Sequence, residues 1–179
     1  MNSVSFFDFS NKALLSWITA FCLMEFPMKY FYTQMIGGKY VQQWYDFSKF
    51  DVYNVMIGDL LYVLVGIVIT YRVVSYLFKK KNFVKFFLVF SGVQILGDLT
   101  FYTIISKILP KSIGGKWINF FRDYGKNAGL WAVVGDNVYI LVWSLVAYII
   151  YNRIPTDIKY AIISAFVFIL SIISETYKK

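Results

Sequence analysis

Apolar residues come in long blocks, separated by short stretches rich in glycine and charge. The blocks run from Leu14 to Ile36, Val52 to Phe78, Phe86 to Leu109, Leu130 to Tyr151 and Tyr160 to Ser174. About 20 mainly apolar residues in an α-helix cross the hydrocarbon core of a bilayer, so the pattern predicts an all-α bundle of about five transmembrane spans. The fifth block is short, and Tyr160 and Tyr177 suit its two interfaces. Glu25, Pro27 and Lys29 interrupt the first. Glu25 and Lys29 are four apart and share one helix face, which predicts a tilted or kinked span, with a re-entrant segment as the alternative. Asp8 and Lys12 precede this block and no small-residue cleavage site follows it, so it does not read as a cleaved signal peptide.

Composition sharpens the choice of solvent. Of 179 residues, 59% are apolar and 16% charged, against about 45–50% and about 25% in soluble domains. That excess is too large for one water-soluble core, and the aromatic content excludes disorder. The net charge is +8, with the basic residues between apolar runs, where they meet lipid headgroups or fix topology rather than bind nucleic acid. The loops split the basic residues eight against ten. On one side are Lys12, Arg72, Lys79, Lys80, Lys81, Lys85, Arg153 and Lys159; the other ten lie opposite. Short loops weigh most in orientation, so the dense loop Lys79 to Lys85 is expected on the cytoplasmic side. Cys22 is the one cysteine and there is no histidine. No disulfide, His-assisted nucleophile, His-ligated zinc or His-held haem is therefore expected, and no cofactor, metal or catalytic residue is assigned.

One unit occurs twice, 77 residues apart. Ile36-Gly37-Gly38-Lys39 returns as Ile113-Gly114-Gly115-Lys116, Asp46 and Lys49 as Asp123 and Lys126, and Gly58-Asp59 with Tyr62 as Gly135-Asp136 with Tyr139. Phe31-Tyr32-Thr33 resembles Phe101-Tyr102-Thr103, with seven residues inserted before the second Ile-Gly-Gly-Lys. Two spans separate the copies, so the repeat is parallel. The expected organisation is an N-terminal segment (1–13), a first hairpin repeat (14–78), a basic loop (79–85), a second hairpin repeat (86–151) and a C-terminal span and tail (152–179). The two hairpins would form a four-helix bundle with the fifth span packed outside it. The glycine pairs would end the preceding spans. The two equivalent loops mix aromatic and basic residues, among them Lys39, Trp44, Lys116, Trp117, Phe120 and Arg122. They are expected to lie in the interface as short amphipathic helices, forming a lipid-facing belt or a docking surface for a partner.

Four acids fall within the blocks: Glu25, Asp59, Asp98 and Asp136. An Asp at the centre of a membrane helix costs about 2.5–3.5 kcal/mol, so these positions need a reason. Each Asp follows a glycine (Gly58, Gly97 or Gly135) that lets helix backbones approach. Each has a tyrosine one turn on (Tyr62, Tyr102 or Tyr139) on the same helix face. A shared polar cluster of these groups is expected. The acids would be interhelical ties or, in the competing reading, line a path for protons or cations. Aspartyl-protease chemistry is excluded, because Met56, Ile95 and Val133 stand where the earlier glycine of a Gly-x-Gly-Asp motif belongs.

The run Gly97-Asp98-Leu99-Thr100-Phe101-Tyr102, the stretch Lys111 to Tyr124 and Val134-Gly135-Asp136 resemble multi-pass membrane proteins of giant DNA viruses. The Lys, Asn, Ile, Phe and Tyr bias suits AT-rich genomes of that kind. The resemblance covers roughly residues 55–150 and carries no activity with it. It implies a place, a virion internal membrane beneath a capsid or a host membrane, and other membrane or capsid proteins as partners. The expected function is non-enzymatic: a structural or anchoring integral membrane protein, with a small proton or cation channel as the alternative.

Overall fold

The structure is a computed structural model that describes residues 5–31, 39–110 and 112–177. The described residues contain seven α-helices: α1 (Asn11–Phe31), α2 (Lys39–Trp44), α3 (Val52–Leu77), α4 (Phe83–Thr103), α5 (Lys116–Ala128), α6 (Leu130–Arg153) and α7 (Thr156–Tyr177). A π-helical turn, Ile104–Ile108, continues α4. No strand occurs among the described residues.

Local chemistry sets the helix ends. The Ser10 hydroxyl accepts from the Ala13 amide at 3.2 Å, the Asp51 carboxylate from Asn54 at 3.1 Å, and Asn82 from Lys85 at 2.9 Å. Each satisfies a backbone donor that a helix start leaves over. Pro27 lies inside a continuous α1. Residues 32–36 of the first expected span, and the Gly37-Gly38 stop, lie outside the described residues. Gly114 and Gly115 do not end a span. The preceding helix stops at Ile108, and Gly115 is the N-cap of α5.

Among the described residues, four stretches are long and apolar enough to cross a bilayer: Val52–Leu77, Phe83–Ile108, Trp131–Arg153 and Thr156–Tyr177. Only 17% to 28% of each apolar window is buried inside the protein. Val65, Leu88, Leu96 and Phe168 are each more than 60% exposed. So much apolar surface turned outward is what a protein dissolved in lipid presents.

The five long helices close a ring in the order α1, α6, α4, α3, α7 and back to α1. The C-terminal helix therefore does not pack outside a four-helix bundle, as the sequence suggested. It is a wedge between α1 and α3. Fully buried aromatic rings fill the ring's middle: Trp17 from α1, Tyr71 from α3, Phe86 and Phe90 from α4, and Trp143 from α6. The Trp17 indole donates to the Tyr71 hydroxyl at 3.0 Å, and the Trp143 indole donates to the Trp17 carbonyl at 2.9 Å. Phe6, only 2% exposed, closes one end, and its carbonyl accepts from the Tyr71 hydroxyl at 2.8 Å. That end also carries the α3–α4 and α6–α7 turns. The opposite end carries α2, α5 and the end of α7, where Tyr177 meets Phe47.

Candidate functional site

The acids sit in the half of the bundle beneath α2 and α5. Glu25 of α1 is 1% exposed. One of its oxygens accepts from the Tyr45 hydroxyl, and the other from Tyr139 of α6. Tyr45 follows α2 directly. Burial, with Glu25 beside it, holds its phenol well above the ordinary phenol range, so it stays a donor. The Lys29 ammonium donates to the Tyr45 carbonyl at 3.1 Å and lies 4.1 Å from the Phe47 ring centroid. Asp59 of α3 accepts from the Trp44 indole at 2.9 Å. Asp98 of α4 accepts at one oxygen from Tyr62 of α3 at 2.7 Å and from Gln94 at 2.9 Å. Its other oxygen is buried, with no hydrogen-bond partner among the described residues. Asp136 of α6 lies within electrostatic range of Asp59 and Asp98, as Asp59 does of Glu25.

The expected acid–tyrosine pairs are thus exchanged between helices. Tyr62 lies three residues after Asp59 but bonds Asp98. Tyr139 lies three after Asp136 but bonds Glu25. A phenol projects away from its own helix axis, so its hydroxyl reaches a neighbouring helix more readily than a carboxylate one turn behind. Tyr102 takes no acid; its ring packs beneath α5, where a Cβ at Gly125 would stand 2.2 Å from it.

The glycines serve a different contact from the one expected. A Cβ at Gly97 would lie 2.9 Å from the Tyr62 hydroxyl, so this glycine gives the phenol its path to Asp98. A Cβ at Gly58 would meet the Trp117 ring at 3.9 Å. At both positions an aromatic side chain, not a second backbone, comes closest. Gly135 is half-buried on α6.

The loop residues form a lid. Trp44 is 8% exposed; its ring lies 4.6 Å from Trp117, 5.1 Å from Phe120 and 4.8 Å from Phe121, centroid to centroid. The apolar face of α5 is turned onto α2 and the bundle, while Lys39 and Lys116 are exposed. Arg122 reaches inward and donates to the carbonyls of Ile105, Leu109 and Pro110 at 3.0–3.1 Å. These acceptors were left open where the π turn ends.

Several central residues have no local signature. Trp17, Tyr71 and Trp143 join positions 54 and 126 residues apart, and only their aromatic character inside apolar blocks marked them. Among the described residues no group of three metal-ligating side chains converges. No family model, curated protein or solved structure matches this chain.

Proposed function

We propose that this protein is a structural integral membrane protein of five spans that builds or anchors a larger membrane-bound assembly. The observation that carries the reading is the fate of the acids: Glu25, Asp59 and Asp98 each accept from a phenol or indole on a different element. Such bonds tie helices together where lipid offers no polar partner. The aromatic filling of the ring fits the same role. Support for counting α1 as the fifth span is its course beside α6, from Lys12 over the Tyr151 ring to Glu25 at Tyr139. The membrane of a large DNA virus particle, beneath its capsid, is the setting that the resemblance of residues 55–150 suggests, with capsid or other membrane proteins as partners.

Gene duplication accounts for the architecture. The α2 and α5 helices begin 77 residues apart, at Lys39 and Lys116. The two-fold axis of such a duplication would exchange α1 with α4 and α3 with α6, and so would map the α1–α6 contact onto α4–α3. It would also map α4–α6 onto α1–α3, the gap that α7 fills.

The competing reading, a proton or cation conductor, draws on one observation: the buried oxygen of Asp98, unpartnered among the described residues, beside Asp136. Replacement of Asp59, Asp98 and Asp136 by Asn separates the two. An Asn side chain still accepts from Tyr62 or Trp44, so folding and assembly are expected to persist, and proteoliposomes of wild type and variant should show equal, background ion flux. A flux present in wild type and absent in the variant would replace the structural reading with the conductor.

A further inference from the structure

The end of the bundle away from the acids carries the most one-sided charge in the molecule. It holds eight of the 18 lysines and arginines against two carboxylates, Asp8 and Asp157. Among the described residues one ion pair forms there, Lys81 to Asp8 at 2.5 Å. Every aspartate and glutamate of the chain lies on a described residue, so the other cations of this end have no side-chain counter-ion at ion-pair distance.

Two of those cations stand near one tyrosine ring and feel each other's charge. The Lys12 ammonium stands 4.2 Å from the centroid of the Tyr151 ring, and the Lys159 ammonium stands 5.9 Å from it. Lys159 is fully buried and donates to the Ser16 hydroxyl at 2.8 Å. Ser16 in turn donates to the Lys12 carbonyl at 2.8 Å. Lys12 is exposed. Like charges at close range repel, and the face of one ring offsets only part of that cost. The pair lies on the first turns of α1 and α7 and the last turn of α6, the level at which lipid phosphates sit against a spanning bundle. Ile149, two residues before Tyr151 on α6, and Ile158, next to Lys159 on α7, are exposed.

We propose that Lys12 and Lys159, arranged on Tyr151, seat the phosphate of an anionic phospholipid. Lys12 makes the contact, Lys159 adds its charge from inside the protein, and the acyl chains lie along α6 and α7. The inference rests on the reading of this chain as a bilayer protein. It favours an anionic lipid, because the ammonium of a choline headgroup would bring a third positive charge to the site. It also turns this end toward the leaflet richer in anionic lipid.

The test uses the full chain, purified in detergent, stripped of lipid and titrated with phosphatidylglycerol, phosphatidylcholine or inorganic phosphate. Retained lipid is read by native mass spectrometry. Wild type should prefer phosphatidylglycerol to phosphatidylcholine. The preference should fall about fivefold in Lys12→Gln, and about 25-fold in Lys12→Gln/Lys159→Met, since each cation near an anionic surface adds roughly a factor of five. The variant Lys39→Gln/Lys116→Gln, altered at the opposite end, should keep it, and inorganic phosphate should not compete. Equal retention of both lipids, an unchanged preference in Lys12→Gln, equal loss in the opposite-end variant, or displacement by inorganic phosphate would each overturn the proposal. Lys12 is exposed, so its single variant decides the matter if the double variant fails to fold. A chain that stays monodisperse without detergent would sink the bilayer reading itself, whereas one that needs detergent but shows no lipid preference sinks this inference alone.

Discussion

At the scale of single residues, Glu25, Asp59 and Asp98 are explained by what donates to them. A carboxylate in hydrocarbon is costly by itself; here aromatic side chains bring both an apolar body and one polar hydrogen to it. The contact between Tyr62 and Asp98 depends on the absence of a side chain at Gly97, where a Cβ would stand 2.9 Å from the phenol oxygen. Gly97→Ala should therefore push Tyr62 off Asp98 and destabilise the fold by about 1–2 kcal/mol, as should Tyr62→Phe. The two losses share one bond, so the double variant should cost much less than their sum. Chemical denaturation in micelles measures all three, and simple additivity would show that the glycine does not serve this contact. The motif of an acid with a tyrosine one turn on was readable from the chain, but its partners were not. Spacing reports which residues share a face, not which neighbouring helix that face meets.

At the scale of elements, seven more residues separate Phe101-Tyr102-Thr103 from the Ile-Gly-Gly-Lys that follows it than separate Phe31-Tyr32-Thr33 from its own. The π turn Ile104–Ile108 lies in that longer stretch. An added residue absorbed into a helix widens one turn and leaves carbonyls without their usual donors. Arg122, one helix later, supplies three N–H contacts to them. Replacing Arg122 by Ala should unlock this corner and raise amide exchange of residues 104–110 at least tenfold, while the middle of α3 stays protected. Hydrogen exchange in detergent reads both segments. Arg122 looked like a residue for an outside partner because a basic, aromatic loop resembles an interface. The structure spends its guanidinium on the backbone of the preceding helix. Trp44 follows the same logic, since its ring is enclosed by α5 rather than offered to lipid.

At the scale of the whole molecule, the ring of five helices sets a topology with a direct test. The N-terminal segment and the 79–85 loop share one end, tied by Lys81 and Asp8, and α5 lies at the other. Single cysteines at Lys80 and Lys126, in a Cys22→Ser background, should react with a membrane-impermeant maleimide from opposite sides of oriented vesicles. A cysteine at Asp8 should react from the Lys80 side. Labelling of the Asp8 position from the Lys126 side would mean that α1 does not cross. The wedge position of α7 also predicts that truncation after Pro155 exposes α1 and α3 to each other or to lipid, so the shortened chain should lose cooperative unfolding.

What the sequence determined by itself is local in origin. Runs of apolar residues, capping side chains at Ser10, Asp51 and Asn82, and the rarity of polar groups within the runs specify the long helices and their lipid setting, because a backbone in hydrocarbon must satisfy its hydrogen bonds within its own segment. The mixture of aromatic and basic residues in the two long loops also marked them for short helices, and α2 and α5 lie there. Only the tertiary structure decided the neighbours: α7 between α1 and α3, Tyr62 with Asp98, Tyr139 with Glu25, and Trp17 at the centre of the ring. The physical reason is that an apolar helix face is as well solvated by lipid as by another helix, so hydropathy does not encode its partner. The shapes of side chains and a few buried donors make that choice, and they meet across dozens of residues of chain.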